Sequence, residues 1–422
     1  MTNSHLFTKN LLARLGAPIC AAIVLTLSTG SRAQQIVRLA DIEPLSGPFQ
    51  SQGDTNLRTL QAAVDEFNAR SKDLKFEVVP YDAKGKAQEA MNIFRQATDR
   101  GIRYFVGGGS SAIVSGLIET INSYNARNPG QEVLYLNHQA IDPTFTEAQC
   151  SFWHFRFDPH VRMRMFALTS HITHDKSVKK VYLINQDYSF GQQVEASAKS
   201  YLGAMRPDVV IAGEERHPIG STKDFSPYVA KIKASGADTV ITGNFGQDLV
   251  LLIKAAKDIG LKVKFYTYYG NALGAPTAVG TAGVDSLRLV TTWETNAMSQ
   301  RAKSIYDNFK SKYPKSEIFH TGVIEMVNLL GEAVKKAGTI EPKGVAFALE
   351  GLKTAGTFGE VQMRAADHQL LAPMFIQTFE AQDGKKVKYG VEGLAYGFRT
   401  DSMIPASATE PIMACQMQRP AR

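Results

Sequence analysis

Five consecutive residues, Gly107-Gly108-Gly109-Ser110-Ser111, carry the residue types in this chain best suited to binding chemistry. Glycines let the backbone turn tightly and let a bound molecule approach it closely. A serine after them can cap a helix whose first N–H groups then meet an anion or a carboxylate. The flanks fit such a turn. Tyr104-Phe105-Val106 is a short apolar run suited to a buried parallel strand, and Ala112, Ile113, Leu117, Ile118 and Ile121 fall on one helical face. Strand, glycine turn and capped helix together make an anion site at the end of a sheet. The same residues also fit an ordinary strand-to-helix turn in which the serine is only a cap.

Catalytic readings find less support. Gly107-x-Gly109-x-x-Ala112 has dinucleotide spacing, but that fingerprint opens a first βαβ unit and needs an acid at the end of the next strand. Here the next strand-like run, residues 133–136, leads into Asn137 and His138. No Gly-x-Ser-x-Gly elbow and no Gly-Lys-Ser/Thr phosphate loop occurs. His171 and His174 have helical spacing without a nearby third ligand, which suits a solvated helix face better than a metal site. His154 and His160 suit packing or hydrogen bonding. The expectation is a protein that is no enzyme and uses no cofactor or metal.

The elements that must position the glycine turn follow a regular order. Residues 1–33 read as a secretory signal peptide: Lys9 and Arg14, then a mostly apolar run over 15–30, then the small-x-small site Ser31-Arg32-Ala33. Cys20 lies inside the apolar run, where lipidation and cleavage would leave little of that run, so a lipoprotein is not expected. Without Lys9, Arg14 and Arg32 the net charge falls from +7 to +4, with no basic tract, which argues against nucleic acid as a partner. The remaining length is too great for one core and predicts two lobes. Cys150 and Cys415 remain, and an even pair in an oxidising compartment reads as a disulfide, two separate buried thiols being the alternative.

From residue 36 strand-like and helix-like segments alternate: strands over 36–42, 76–81, 104–106 and 132–136, with helices over 59–69, 87–100 and after Ser111. After Pro159 the pattern restarts with helices over 161–173, 191–203, 225–235 and 249–259, and strands over 178–185, 209–213, 239–243 and 264–268. A strand over 287–293 and helices over 299–313, 322–337 and 345–352 follow, then strand- and turn-like sequence from Phe358. This order predicts an α/β protein with two doubly wound parallel sheets and right-handed crossovers.

Six short motifs, in order, resemble one family. They are Ile42-Glu43-Pro44-Leu45-Ser46-Gly47-Pro48 with Gly53, Tyr81-Asp82-Ala83 with Gln88-Glu89-Ala90, Tyr104 to Ser111, Ala140-Ile141-Asp142-Pro143-Thr144-Phe145-Thr146, Phe155-Arg156, and Asp187-Tyr188-Ser189-Phe190-Gly191. The chain resembles type I periplasmic solute-binding proteins, most closely the leucine/isoleucine/valine-binding family of ABC importers. The resemblance implies two lobes joined by three crossovers: residues 34–157 with 291–368, and 158–290 with 369–405, followed by a tail over 406–422. It also implies a periplasmic, monomeric receptor that captures a small molecule in its cleft and meets an ABC transporter permease in the inner membrane.

In that family's amino-acid binders the carboxylate is held by a serine after the third strand and a threonine of the Ala-Thr loop. The ammonium is held by an acid after a second-lobe strand. By resemblance the serine falls on Ser110 or Ser111, the threonine on Ile141 and the acid near Tyr269, while Phe190 and Phe245 take the aromatic-wall positions. Ser46, Gln52, Gln139, Ala140 and Asn244 complete the candidate ligand contacts, with Asn137, His138 and Tyr268 nearby. A buried ammonium without a carboxylate is costly. The expectation is therefore an apolar or aromatic carboxylate, with a branched-chain or hydrophobic amino acid, or an amide- or urea-type ligand of a sensor, as alternatives.

Overall fold

A computed structural model describes residues 34–318, 320–409 and 414–421; residues 1–33, expected from the sequence to be a signal peptide, lie outside the described residues. The chain starts with β1 (Gln35–Glu43), α1 (Gln50–Arg70), β2 (Leu74–Asp82), α2 (Ala87–Asp99), β3 (Tyr104–Gly107), α3 (Ser111–Arg127), β4 (Leu134–Asn137) and β5 (His154–Arg156). It goes on through α4 (Val161–Ile172), β6 (Lys180–Gln186), α5 (Ser189–Met205), β7 (Val210–His217), α6 (Ser226–Ser235), β8 (Thr239–Thr242), α7 (Gly246–Asp258), β9 (Lys264–Thr267), α8 (Ala275–Val279) and β10 (Leu287–Thr291). Next come α9 (Gln300–Lys312), α10 (Gly322–Ala337), α11 (Pro342–Leu349), β11 (Lys353–Gly356), β12 (Gly359–Met363) and β13 (Leu370–Leu371), then β14 (Met374–Ala381) and β15 (Tyr396–Ile404).

Two sheets share one plan. The first runs β2-β1-β3-β4-β5, all parallel, and the second holds β7-β6-β8-β9-β10 in the same relative order. Apolar side chains alternate across β1, with Val37 and Leu39 on one face and Ala40 and Ile42 on the other, so helices cover both faces. The second sheet is extended by β14 and β15, which pair antiparallel beyond β10, and β11-β12-β13 form a small antiparallel sheet. Between β14 and β15 no helix intervenes to force a parallel return, whereas β14 reaches β10 only after the chain has passed through α9, α10, α11 and the small sheet.

The chain passes three times between the two sheets, and buried polar groups bind the passages together. Arg156, at the end of β5, donates from Nε to Gln369 Oε1 at 2.6 Å and from its other nitrogens to Asp142 O and Thr146 Oγ1. Gln369 Nε2 donates to Asp158 O at 3.1 Å. Arg164 meets both Asp158 carboxylate oxygens at 2.7 Å and Val290 O at 3.2 Å. Both guanidiniums are buried, where an unpaired charge would be expensive, so these contacts fix the strand ends relative to one another.

The structure joins Cys150 to Cys415, with Cα atoms 5.7 Å apart, as the even-cysteine reading expects. The tail thereby returns to the first sheet's side, where Met417 packs on that core and Arg419 donates to Glu350 at 2.7 Å.

Candidate functional site: an interlobe cleft

In each sheet the strand order reverses at one point, between β1 and β3 and between β6 and β8. Ligands of open α/β sheets bind outside the carboxyl ends of strands at such points. The glycine turn leaves β3 there. Gly107, Gly108 and Gly109 have φ of 87°, 122° and 77°, a region that favours glycine. Space compels the same choice, since a Cβ on Gly108 would lie 2.5 Å from the Tyr135 hydroxyl. Ser110 is the N-cap of α3, its Oγ accepting from Ile113 N at 3.4 Å. Among the described residues the N–H groups of Ser111 and Ala112 have no backbone acceptor, so the helix start beside the cleft has donors to spare.

Gln52, Gly109, Ser110, Ser111, Gln139, Ala140, Ile141, Tyr188, Phe190, Phe245 and Tyr269 line one narrow cleft with a cavity volume of about 10 Å³. The sheet ends bring together nine of the eleven residues expected at the site. Two fall elsewhere. Ser46 donates its hydroxyl to Asp82 Oδ2 at 2.7 Å, and Asn244 Nδ2 pairs with His217 Nε2 at 2.8 Å, so both side chains hold loops rather than the cleft wall. Tyr268 is also spent on structure, donating to Val161 O at 2.9 Å. Tyr188 lines the cleft although the sequence offered only its place beside Phe190 in the motif.

Among the described residues no charged side chain lines this space. Phe190, Phe245 and Tyr269 form a ring-walled side, with centroid separations between 5.8 and 6.3 Å. The hydroxyls of Tyr188 and Tyr269 have no partner among the described residues, and burial holds both phenols above their ordinary pKa, so they remain donors at neutral pH. A larger apolar groove bordered by Asp238, Lys262 and Lys264 lies at the opposite, amino ends of β8 and β9, away from the glycine turn.

Beneath the first-lobe wall lies a polar floor. Gln139 Nε2 donates to Glu43 Oε1 at 2.7 Å, and Gln139 Oε1 accepts from Asn56 Nδ2 at 2.6 Å, which fixes the amide's orientation. Asn137 Oδ1 accepts from Ala140 N at 2.8 Å and shapes the loop that presents Ala140 and Ile141. Burial pushes Asp41 up to about 8 and holds Glu43 well above the usual carboxylate range, with Asp41 adding to the effect. Burial and the nearby His320 push His138 down to about 3. The sequence reading passed over Asp41 and Glu43, although acids at alternate positions of an otherwise apolar strand were a visible signal.

A family profile described as "Periplasmic binding protein" matches residues 36–385, most of the described chain. The chain is a type I periplasmic binding protein of the leucine/isoleucine/valine-binding family. This binding protein is 32% identical to the Leu/Ile/Val-binding protein homolog 4 of Brucella abortus over 416 residues, 95% of this chain and 97% of the relative. It superposes with a TM-score of 0.81 on the leucine-, isoleucine-, valine-, threonine- and alanine-binding protein of Brucella ovis in its closed conformation, at 30% identity, covering 92% of this chain and all of that one. A solute-binding protein of Rhodopseudomonas palustris, solved with p-hydroxybenzoic acid, gives a TM-score of 0.75 at 19% identity over 88% of this chain and 98% of its own, a likeness of fold. No helix among the described residues is long and apolar enough to cross a membrane.

Proposed function

We propose that this protein is the exported receptor of an ABC importer, with no catalytic role, and that it captures a small carboxylate lacking an α-ammonium group. The supporting observation is the composition of the cleft wall. It offers a serine-capped helix start and phenolic donors to a carboxylate, aromatic surface to an apolar body, and no acid to an ammonium. Glu43 stands behind Gln139 and is engaged by it, so it does not supply the missing counter-charge. On this reading the lobes are residues 34–157 with 291–368 and 158–290 with 369–405. Ligand held from both sides favours the closed form, which docks on the permease.

Thermal-shift and calorimetric titration of benzoate, 4-hydroxybenzoate and branched short-chain acids tests this directly. A ligand at a hundredfold excess over its Kd stabilises the protein by about 2.7 kcal/mol. Micromolar binding of leucine, isoleucine or valine with all acids silent would overturn it. That outcome would restore the amino-acid reading, which the Brucella relatives named for those amino acids favour.

A further inference from the structure

Asp41, Glu43 and His138 meet beneath the cleft floor in a way the ligand reading does not use. Asp41 and Glu43 sit two residues apart on β1, so both side chains leave the same face of the strand. Each presents an oxygen beside Gly107, where a Cβ would stand 3.0 Å from Glu43 Oε1 and 3.3 Å from Asp41 Oδ1. The missing side chain at Gly107 is what makes room for the pair. His138 comes from the loop after β4, and its Nε2 lies 3.5 Å from Glu43 Oε1. One ligand atom from each of the three residues lies within 4.8 Å of the others.

All three are essentially sealed from solvent, at 1%, 0% and 0% exposure. Among the described residues neither oxygen of Asp41 and neither ring nitrogen of His138 has a hydrogen-bond partner. Among the described residues no lysine or arginine pairs with either carboxylate; Glu43 takes only the amides of Gln139 and Asn56. Buried polar atoms in native proteins are nearly always satisfied, and two adjacent acids without a cation are the most expensive kind of exception.

We infer that Asp41, Glu43 and His138 bind a divalent transition-metal ion of the zinc class, as a structural centre behind the ligand cleft. Two carboxylates neutralise a dication, and an imidazole favours zinc or cobalt over calcium, magnesium and manganese, which prefer oxygen. Tetrahedral bonds of about 2.0–2.2 Å place ligand atoms about 3.4 Å apart, a spacing that Glu43 and His138 already approach. Gln139 and Asn56, bonded to Glu43, are the outer partners that orient it. The ion would thus brace the floor from which Gln139 reaches the cleft.

The test uses tag-free protein prepared from periplasm, stripped with a chelator and offered zinc or cobalt(II). The expected result is about one tightly held ion per chain, a higher melting temperature, and a cobalt visible spectrum typical of mixed nitrogen and oxygen donors. Asp41→Asn and His138→Gln should each abolish stoichiometric uptake while circular dichroism shows a native fold, and Asn56→Ala should weaken affinity about 10- to 100-fold. Failure of the wild type to retain zinc or cobalt after gel filtration overturns the assignment. So does uptake that both ligand variants leave unchanged. Should the variants fail to fold, the wild-type cobalt protein still decides the matter: absence of imidazole-nitrogen coupling in its pulsed paramagnetic resonance spectrum refutes the site.

Discussion

Phe49, on the loop between β1 and α1, places its ring 5.1 Å from that of Phe245, the N-cap of α7 on the second sheet. The same ring lies against Gly220 and Gly246, where a Cβ would stand 2.9 Å from it. A side chain from one lobe is thus packed against three residues of the other, beside the cleft rather than inside it. A hinge opening of the cleft would break these contacts.

Phe49→Ala should therefore weaken ligand binding without touching ligand chemistry. An aromatic pair of this kind contributes about 0.5–1.5 kcal/mol, equivalent to roughly two- to twelvefold in Kd. The melting temperature without ligand should move little, because the contact belongs to the closed arrangement. Unchanged affinity in calorimetry would mean that closure does not depend on this ring.

The two serines should separate by readout. Ser110 caps α3, so Ser110→Ala should lower stability by about 1 kcal/mol whether or not ligand is present. Ser111 has no such duty, and Ser111→Ala should cost binding alone. A bond from the contacting serine to a charged ligand contributes about 1.5–3 kcal/mol. If neither single variant nor the double variant weakens binding, the ligand lies elsewhere.

Reduction should destabilise the protein by about 2–5 kcal/mol through release of the tail. Intact mass after alkylation of periplasmic protein should show no adduct before reduction and two after it. A third adduct would report that the segment carrying Cys20 had been retained.

Acid should destabilise the fold through its buried histidines. Burial, with nearby arginines, holds His154 and His160 well below the ordinary imidazole value, and burial takes His320 to about 3. These rings stay neutral in the folded chain, whereas unfolded imidazoles take up protons below about pH 6.5. Their contribution is fully present above that pH and is lost as pH falls below it, at up to about 1.4 kcal/mol per pH unit for each ring. His160 also caps α4, its Nδ1 accepting from Arg162 N at 3.1 Å, a task asparagine performs well. His160→Asn should match the wild type near pH 7 and lose less stability toward pH 5. Parallel melting curves across that range would contradict this.

How much of this was legible in the sequence differs by element. The alternation of apolar strands and periodic helices prescribes both parallel sheets, because each βαβ unit has one way to close. The antiparallel pair β14 and β15 was not legible: Met374 to Ala381 is almost wholly buried, and such a run reads alike in either direction. At the site, Ser110 could be placed because a glycine turn locates it, and Phe190 and Phe245 through the family resemblance of their motifs. Ser46 and Asn244 could not, since their partners, Asp82 and His217, lie 36 and 27 positions away. The proximity of Asp41 to His138 is likewise a product of strand order, which brings β1 and β4 to either side of β3.

The returning tail has a practical corollary for optical or surface-bound assays. The first strand opens the described residues and the tail, tied at Cys415, closes them, so both extremities belong to the same lobe. A fluorophore, bead or solid support attached at either extremity would hold the first sheet's side of the molecule without touching the α4–β10 segment. Single-molecule distance changes between such a tether and a dye on α6 would then report opening and closing undamped, on a receptor that needs no redesign to serve as a probe of its own ligand.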